Sequence, residues 1–407
     1  MFKNKLFFIF ALSTICYLSS SFNSNKKLLH PNVKNKSFYI EEKLRLNRFE
    51  NSRKKIVNFE YKNYKIDSIF KKLSSKNMFN GCVLVAQHGQ IIYKNSFGSA
   101  NPVLKEPLQD NSVFQLASVS KTITAVATLL LIEQNKIGLD DFFSIYFPSF
   151  PYQDVTIRQL LCHRSGIPNY IYLDKRHYPQ SVMYYTNQDA FNALCHARAS
   201  KEFTTNARFK YNNSNYALLG LLVEKISGKS FQDFVKENIF NPLGMKNSYF
   251  AYPDQIWSME NRTFGLYNNN QIYPNDKFDG VFGDKGAYST INDMFLFDRA
   301  LYPDVLLKKQ TLDLAFSNHV LEHNASKQYG LGFRLREDQN KQKIIYHNGW
   351  WHGYRTAFHR RESDNSCVII LSNRLNTIVY HKAKEMFKIL DNFQTTDGGE
   401  EAEHSDE

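Results

Sequence analysis

The chain has little of what metal or redox chemistry uses. It carries five cysteines in 407 residues, and Cys82, Cys162, Cys195 and Cys367 are far apart and follow neither CxxC nor metal-ligand spacing. There is no HExxH stretch and no cluster of His and Asp ligands, which sets aside a metal-dependent hydrolase. Buried free thiols are the default reading, with one disulfide open to formation in an oxidising compartment. No internal repeat is present. The apolar run Leu6 to Leu18 falls short of the roughly twenty residues that a membrane-spanning helix needs.

Acidic residues are scarce at one end. Residues 1–80 hold 17 Lys and Arg against 5 Asp and Glu, which accounts for the formal charge of +12. The excess therefore sits ahead of the segments that carry chemistry, and a nucleic-acid-binding function is not expected. A solvated basic tether is the plain reading, and peripheral contact with an anionic membrane surface is the alternative. Lys3 and Lys5 precede the apolar run, and Ser19-Ser20-Ser21 supplies small residues for cleavage, the pattern of an export signal. The expected organisation is a signal peptide at 1–21, a basic linker at 22–60, a catalytic domain at 61–395 and an acidic, disordered tail at 396–407. Export to the periplasm or cell envelope follows. Lipidation of Cys16 is the alternative, although Ile15 stands where a small residue is usual.

What is present is a set of polar groups in order. Ser118-Val119-Ser120-Lys121 places a hydroxyl and an amine one helical turn apart. The same spacing recurs at Ser24/Lys27, Ser52/Lys55 and Ser68/Lys71, so spacing alone means little. Context separates the copy at 118: an apolar approach runs straight into the apolar helix Thr-Ile-Thr-Ala-Val-Ala-Thr-Leu-Leu-Leu-Ile. A helix apolar on nearly every face is buried. Burial favours the neutral form of Lys121, which can then act as a base near neutral pH. Tyr211-Asn212-Asn213 and His347-Asn348-Gly349 follow downstream.

The strand pattern is also readable. Residues 81–98 give two β-rich runs around His88-Gly89, a hairpin signal. Residues 329–337, 343–349, 354–362 and 366–373 are closely spaced strand candidates whose short connections favour antiparallel pairing. Between them, about 142–325 reads as mostly helical and loop-rich, with Leu218 to Ile226 and Phe231 to Ile239 the clearest helices. A last helix at about 377–391 would cover the sheet.

The segment FQLASVSKTITAVATLLLIEQNKIGLDD resembles the nucleophile helix of serine β-lactamases and penicillin-binding proteins, in the branch of class C β-lactamases, D-Ala-D-Ala carboxypeptidases and esterases. VTIRQLLCHRSGIPNY (155–170), residues 209–248, GDKGAYSTINDMFLF (283–297) and HNGWWHGYRTAF (347–358) resemble further segments of that branch. The resemblance covers about residues 65–390. It implies an α/β (α+β) fold with an antiparallel sheet flanked by helices and an inserted, mostly helical subdomain.

It also implies roles. Ser118 is the nucleophile at the opening of its helix, where the dipole favours developing negative charge, and Lys121 is its partner. Tyr211 relays a proton, and Asn213 donates to the substrate amide or ester. His347, with Asn348 and Gly349, forms a polar or charged anchor, and the N–H groups of Ser118 and Trp350 form an oxyanion hole. His163 is expected to be structural. Two departures stand out: Asn206-Ala207-Arg208-Phe209 replaces the usual Pro-Gly before the tyrosine, and His347 replaces the Lys of class C β-lactamases. The second favours peptidase or esterase activity. The expected function is a serine hydrolase forming a covalent acyl-enzyme from an ester or amide, with no metal or cofactor. The alternatives are a class C-like β-lactamase and a non-catalytic penicillin-binding sensor.

Overall fold

The computed structural model describes residues 40, 42–43, 58–322 and 328–391. The expected export signal, nearly all of the expected basic linker and the expected disordered acidic tail lie outside the described residues.

From residue 58 onward the chain forms α1 (Phe59–Ser75) and a hairpin of β1 (Gly81–Gln87) and β2 (Gln90–Phe97). The buried helix α2 (Ser120–Glu133) follows, then α3 (Asn187–Ala197), α4 (Asn213–Ser227) and α5 (Ile291–Ala300). Five strands come next: β3 (Gln328–Tyr329), β4 (Arg334–Glu337), β5 (Lys343–Trp351), β6 (Tyr354–Arg361) and β7 (Ser366–Ser372). Helix α6 (Ile378–Leu390) closes the described chain.

All seven strands join one antiparallel sheet in the order β2-β1-β7-β6-β5-β4-β3. The pairing of Gly81 with Ser372 and of Ala86 with Cys367 sews the two ends of the domain together. Side chains two apart on a strand share a face, and here both faces are covered. Val83, Val85, Val368 and Ile370 pack against Ile66 and Phe70 of α1 and Val379, Ala383 and Phe387 of α6. Leu84, Phe358, Ile369 and Leu371 face the layer containing Ile123 and Val126 of α2 and Met294 and Phe297 of α5. Two covered faces explain why β1 and β7 read as unbroken apolar runs, without the alternation of a half-exposed antiparallel strand.

Two expectations need correction, and the inserted region holds one addition. Besides its helices and loops, Tyr249–Phe250 and Ala287–Ser289 form a ribbon with Phe114–Gln115, with 287–289 in the middle. The helix expected at Phe231 to Ile239 is α-helical only to Val235 and widens into a π-turn over Lys236–Phe240. The widening precedes Pro242, which has no N–H to continue an i→i−4 ladder. The strand expected at 329–337 is two strands, broken at Gly330–Phe333. Gly332 adopts φ 93° there, and a Cβ on it would lie 2.3 Å from Ala125 of α2, so the chain must leave the extended conformation to pass the helix. Cys82, Cys162, Cys195 and Cys367 are free thiols.

Candidate active site

Ser118 does not open the α-helix itself. It lies in a 3₁₀ turn, Ala117–Val119, and α2 begins at Ser120. Its neighbours from 112 to 131 are all buried, and Ser118 alone among them is partly exposed. Two bonds from the ribbon hold the turn: Leu116 N–H donates to the Ala287 carbonyl at 2.7 Å, and Ala287 N–H donates to Ser120 Oγ at 3.1 Å. Ala117, immediately before the serine, has φ 49°. That left-handed backbone is costly for a residue with a Cβ, on the order of 1–2 kcal/mol, and persists only where surrounding structure imposes it.

Lys121 projects from the first turn of α2 and is fully buried. Its Nζ lies 3.3 Å from Ser118 Oγ and donates to Asn213 Oδ1 at 2.8 Å and to the Asp284 main-chain oxygen at 2.7 Å. Burial is the main influence on its proton affinity and lowers its pKa to about 7. The Asp284 carboxylate opposes that shift, and the Arg334 guanidinium adds to it. An amine that is half neutral near pH 7 is the form a proton acceptor requires.

Tyr211 and Asn213 stand at the start of α4. The helix is capped by Asn212, whose Oδ1 accepts from Ser214 N–H at 2.8 Å. The Tyr211 ring centroid is 4.9 Å from Lys121 Nζ and 5.0 Å from the Arg334 guanidinium. His163 is a buried support: its Nδ1 accepts from Asn212 N–H at 3.1 Å, and its ring packs 4.4 Å from that of Tyr211. Burial holds its pKa well below the usual histidine value. The unusual segment before Tyr211 turns at Asn206 with φ 66°, and Arg164 Nε donates to Asn206 Oδ1 at 2.7 Å.

The third motif lies on β5. His347 is close to the other groups, its ring centroid 6.1 Å from that of Tyr211, yet it is fully buried. Burial, followed by the Arg334 and Lys121 charges, pushes its pKa well below the usual histidine value. One neutral tautomer satisfies both of its bonds. Nδ1–H donates to the Asn348 carbonyl at 2.7 Å, and the bare Nε2 accepts from Tyr329 O–H at 3.1 Å. Of the two forms expected for this anchor, polar or charged, desolvation favours the neutral, polar one. The Asn348 side chain is also occupied, its Oδ1 bonded to His359 Nε2 at 2.8 Å.

Gly349 has a different use. A Cβ there would lie 2.4 Å from the Leu116 carbonyl oxygen and 3.1 Å from Ala117 Cβ, so only glycine lets β5 run this close to the serine turn. Thr356 of β6 fastens the same point by donating to Leu116 O at 2.7 Å. β4 pairs with β5 only from Lys343 to Tyr346. From His347 to Trp351, β6 is the strand neighbour on one side, and among the described residues no strand covers the other. Trp350 is on this stretch, 38% exposed, with Arg355 over its ring. A separate groove of about 760 Å³ between Ser149–Gln153 and Cys195–Lys201 contains none of these residues; the chemistry-bearing side chains converge elsewhere.

A sequence profile of the Beta-lactamase family matches residues 66–392. The chain belongs to the beta-lactamase family. It is 35% identical over 336 residues to penicillin-binding protein 4* of Bacillus subtilis (strain 168), covering 78% of this chain and 73% of that one. It is 22% identical over 303 residues to a D-aminopeptidase of Gluconobacter oxydans (strain 621H), covering 73% of this chain and 56% of the relative. Among solved structures, a penicillin-binding protein from Bacillus halodurans superposes with a TM-score of 0.68 at 26% identity, over 78% of this chain and 98% of that one. A D-amino acid amidase from Ochrobactrum anthropi SV3 shares the fold, with a TM-score of 0.67 at 20% identity over 81% and 99% of the two chains.

Within this beta-lactamase-family fold, the sequence reading assigned no role to two parts of the site, although the segment 283–297 containing one of them was singled out. Arg334 is the first residue of β4, just after the break at Gly330–Phe333, and its alternation with Leu335 and Arg336 gives no reason to single it out. Asp284 and Lys285 do leave a trace: a charged pair enclosed by Val281-Phe282-Gly283 and Gly286-Ala287-Tyr288, where a solvated loop would have no reason to be so apolar.

Proposed function

We propose that the chain is a serine hydrolase that opens an ester or amide through an acyl group carried on Ser118. The observation that carries this reading is Lys121 Nζ, buried, 3.3 Å from Ser118 Oγ and half neutral near pH 7. Neutral Lys121 takes the Ser118 proton as Oγ attacks the carbonyl carbon. The resulting oxyanion meets the N–H groups of Ser118 and Trp350. Tyr211 passes a proton to the leaving nitrogen or oxygen, the C–N or C–O bond breaks, and water later releases the acyl group by the reverse proton path. The Asn213 carbonyl oxygen is taken by Lys121, which leaves its amide N–H group for the acyl side of the substrate. The uncovered edge of β5 suits an extended, peptide-like substrate.

The substrate class we favour is an acyl-D-amino-acid peptide or a small ester. The similarity to proteins named D-aminopeptidase and D-amino acid amidase supports it. So does the neutrality of His347, because the strong fixed cation of a Lys at that position is missing. Arg334 is the cation available to a leaving-group carboxylate: among the described residues it forms no ion pair with an acidic side chain.

Purified protein should hydrolyse a chromogenic ester or an acyl-D-Ala-D-Ala peptide faster than a cephalosporin. A fluorophosphonate should add its mass to the tryptic peptide containing Ser118. Ser118→Ala should lower turnover by about four to six orders of magnitude with the fold intact. Retention of more than a tenth of wild-type turnover would refute the assignment.

A further inference from the structure

Next to the serine and lysine is a second buried charged group with no part in the acyl-transfer steps. Tyr170, Asp284 and Lys285 close a triangle of hydrogen bonds. Lys285 Nζ donates to Tyr170 Oη at 2.6 Å and approaches Asp284 Oδ2 at 3.3 Å. Tyr170 O–H donates to the same Oδ2 at 3.0 Å. All three side chains are essentially solvent-free. Among the described residues the other carboxylate oxygen, Asp284 Oδ1, has no hydrogen-bond partner. The main-chain oxygen of the same aspartate accepts from Lys121 Nζ.

The turn that carries the pair is rigidly defined. Gly283 and Gly286 flank it at φ 101° and 90°, and a Cβ on Gly283 would lie 2.4 Å from the Tyr216 carbonyl oxygen. Thr124 of α2 donates to the Gly283 carbonyl at 2.7 Å. Tyr170 is fixed in turn by α4, its N–H donating to Ser214 Oγ at 2.7 Å. The triangle thus joins two segments, and the turn carrying Asp284 meets Lys121 through that residue's main-chain oxygen.

We propose that Tyr170, Asp284 and Lys285 form a positioning device for Lys121, aiming its amine at Ser118 and supplying a carboxylate charge that a second buried ammonium partly cancels. The proposal rests on the acyl-enzyme reading of Ser118 and Lys121. Its logic is electrostatic. An uncancelled carboxylate this close would keep Lys121 protonated and useless as a base, whereas no carboxylate would leave the buried ammonium without a counter-charge. The other groups facing Lys121 are Arg334 from β4, His347 from β5, His163 from the segment before α3, and Tyr211, Asn213 and Tyr216 at the start of α4. Both histidines are buried with lowered pKa values, so Arg334 is the remaining fixed cation, and it acts in the same direction as burial.

The test is the rate at which a fluorophosphonate labels Ser118, followed from pH 5 to 9 in the full-length protein. The wild-type rate should rise through a limb near pH 7, as Lys121 becomes neutral. Asp284→Asn keeps the main-chain oxygen and the side-chain shape but removes the negative charge, so the limb should move to lower pH by about half a unit or more. Lys285→Met leaves the carboxylate uncancelled, and the limb should move to higher pH. The double variant should fall between the two. If Lys285→Met does not fold, Tyr170→Phe replaces it: losing the phenol donor also leaves more charge on Asp284 and should move the limb upward. An Asp284→Asn limb at the wild-type position, or shifts of the same sign for both charge removals, would overturn the proposal. Labelling at a residue other than Ser118 would instead overturn the acyl-enzyme reading beneath it.

Discussion

The left-handed backbone of Ala117 sets the direction of the Ser118 side chain that follows it. No sequence pattern marks it; alanine is a helix former, and the strain comes from β5 and the 287–289 strand on either side. Ser118 and Lys121 were legible for the opposite reason. Their relation is local, three residues apart on a buried helix, so spacing and composition contain it. His347 shows the limit of reading a motif position by residue type: its charge depends on desolvation, and the tyrosine that donates to its Nε2 is 18 residues away. Arg334 is hidden by the same long-range logic and gives a direct prediction. Its guanidinium packs on the Tyr211 ring at 5.0 Å, beside the proposed leaving-group position. Arg334→Gln should lower kcat/KM for an acyl-D-Ala-D-Ala peptide at least about tenfold, while the peptide with an amidated C-terminus loses much less. Equal losses on both peptides would show that Arg334 does not recognise the carboxylate.

At the scale of elements, the site depends on a separation and a close approach. β4 leaves β5 after Tyr346, and β5 then runs against the Ala117–Val119 turn with only a glycine thickness between them. The sequence displayed β5 well, because 343–349 is a clear strand pattern, and the structure extends it to Trp351. It did not display the break in 329–337. Glycines at 330 and 332 are compatible with a strand until α2 is placed behind them, and only then does Ala125 make a Cβ at 332 impossible. The small ribbon was missed for a related reason: two- and three-residue strands contain too little alternation to detect. Gly349→Ala tests the close approach. Its added methyl must displace either the Leu116 carbonyl or the Thr356 hydroxyl that bonds to it. Labelling of Ser118 by a fluorophosphonate should slow by about a hundredfold or more, while thermal unfolding falls only modestly. Unchanged labelling would mean that the turn can move aside without disturbing the oxyanion donors.

For the whole molecule, the sheet is held to its helical layers by charge as well as by apolar packing. Asp298 on α5 is completely buried and meets two arginines. Arg360 of β6 donates from Nε to Asp298 Oδ1 at 3.0 Å, also without solvent exposure. Arg299 donates from Nε to Oδ2 at 2.9 Å. The guanidinium groups lie over aromatic rings, Arg360 on Phe316 and both on Tyr302, so the cluster is enclosed on several sides. A buried ion pair adds little net stability over a well-packed apolar replacement, because desolvating the charges offsets their attraction. Removing one partner is different, since the remaining charge can neither return to water nor, for arginine, release its proton. Asp298→Ala leaves Arg299 without its carboxylate, and Arg360 with only the 3.6 Å approach to Glu362, inside the layer joining α5 to the central strands. It should lower the urea unfolding free energy by at least about 3–5 kcal/mol, with little change in the denaturant slope. Asp298→Asn, which keeps the hydrogen-bond acceptor but not the charge, should lose less. A loss below about 1 kcal/mol for the alanine variant would mean that both arginines find solvent or another carboxylate, and that apolar packing alone joins the layers.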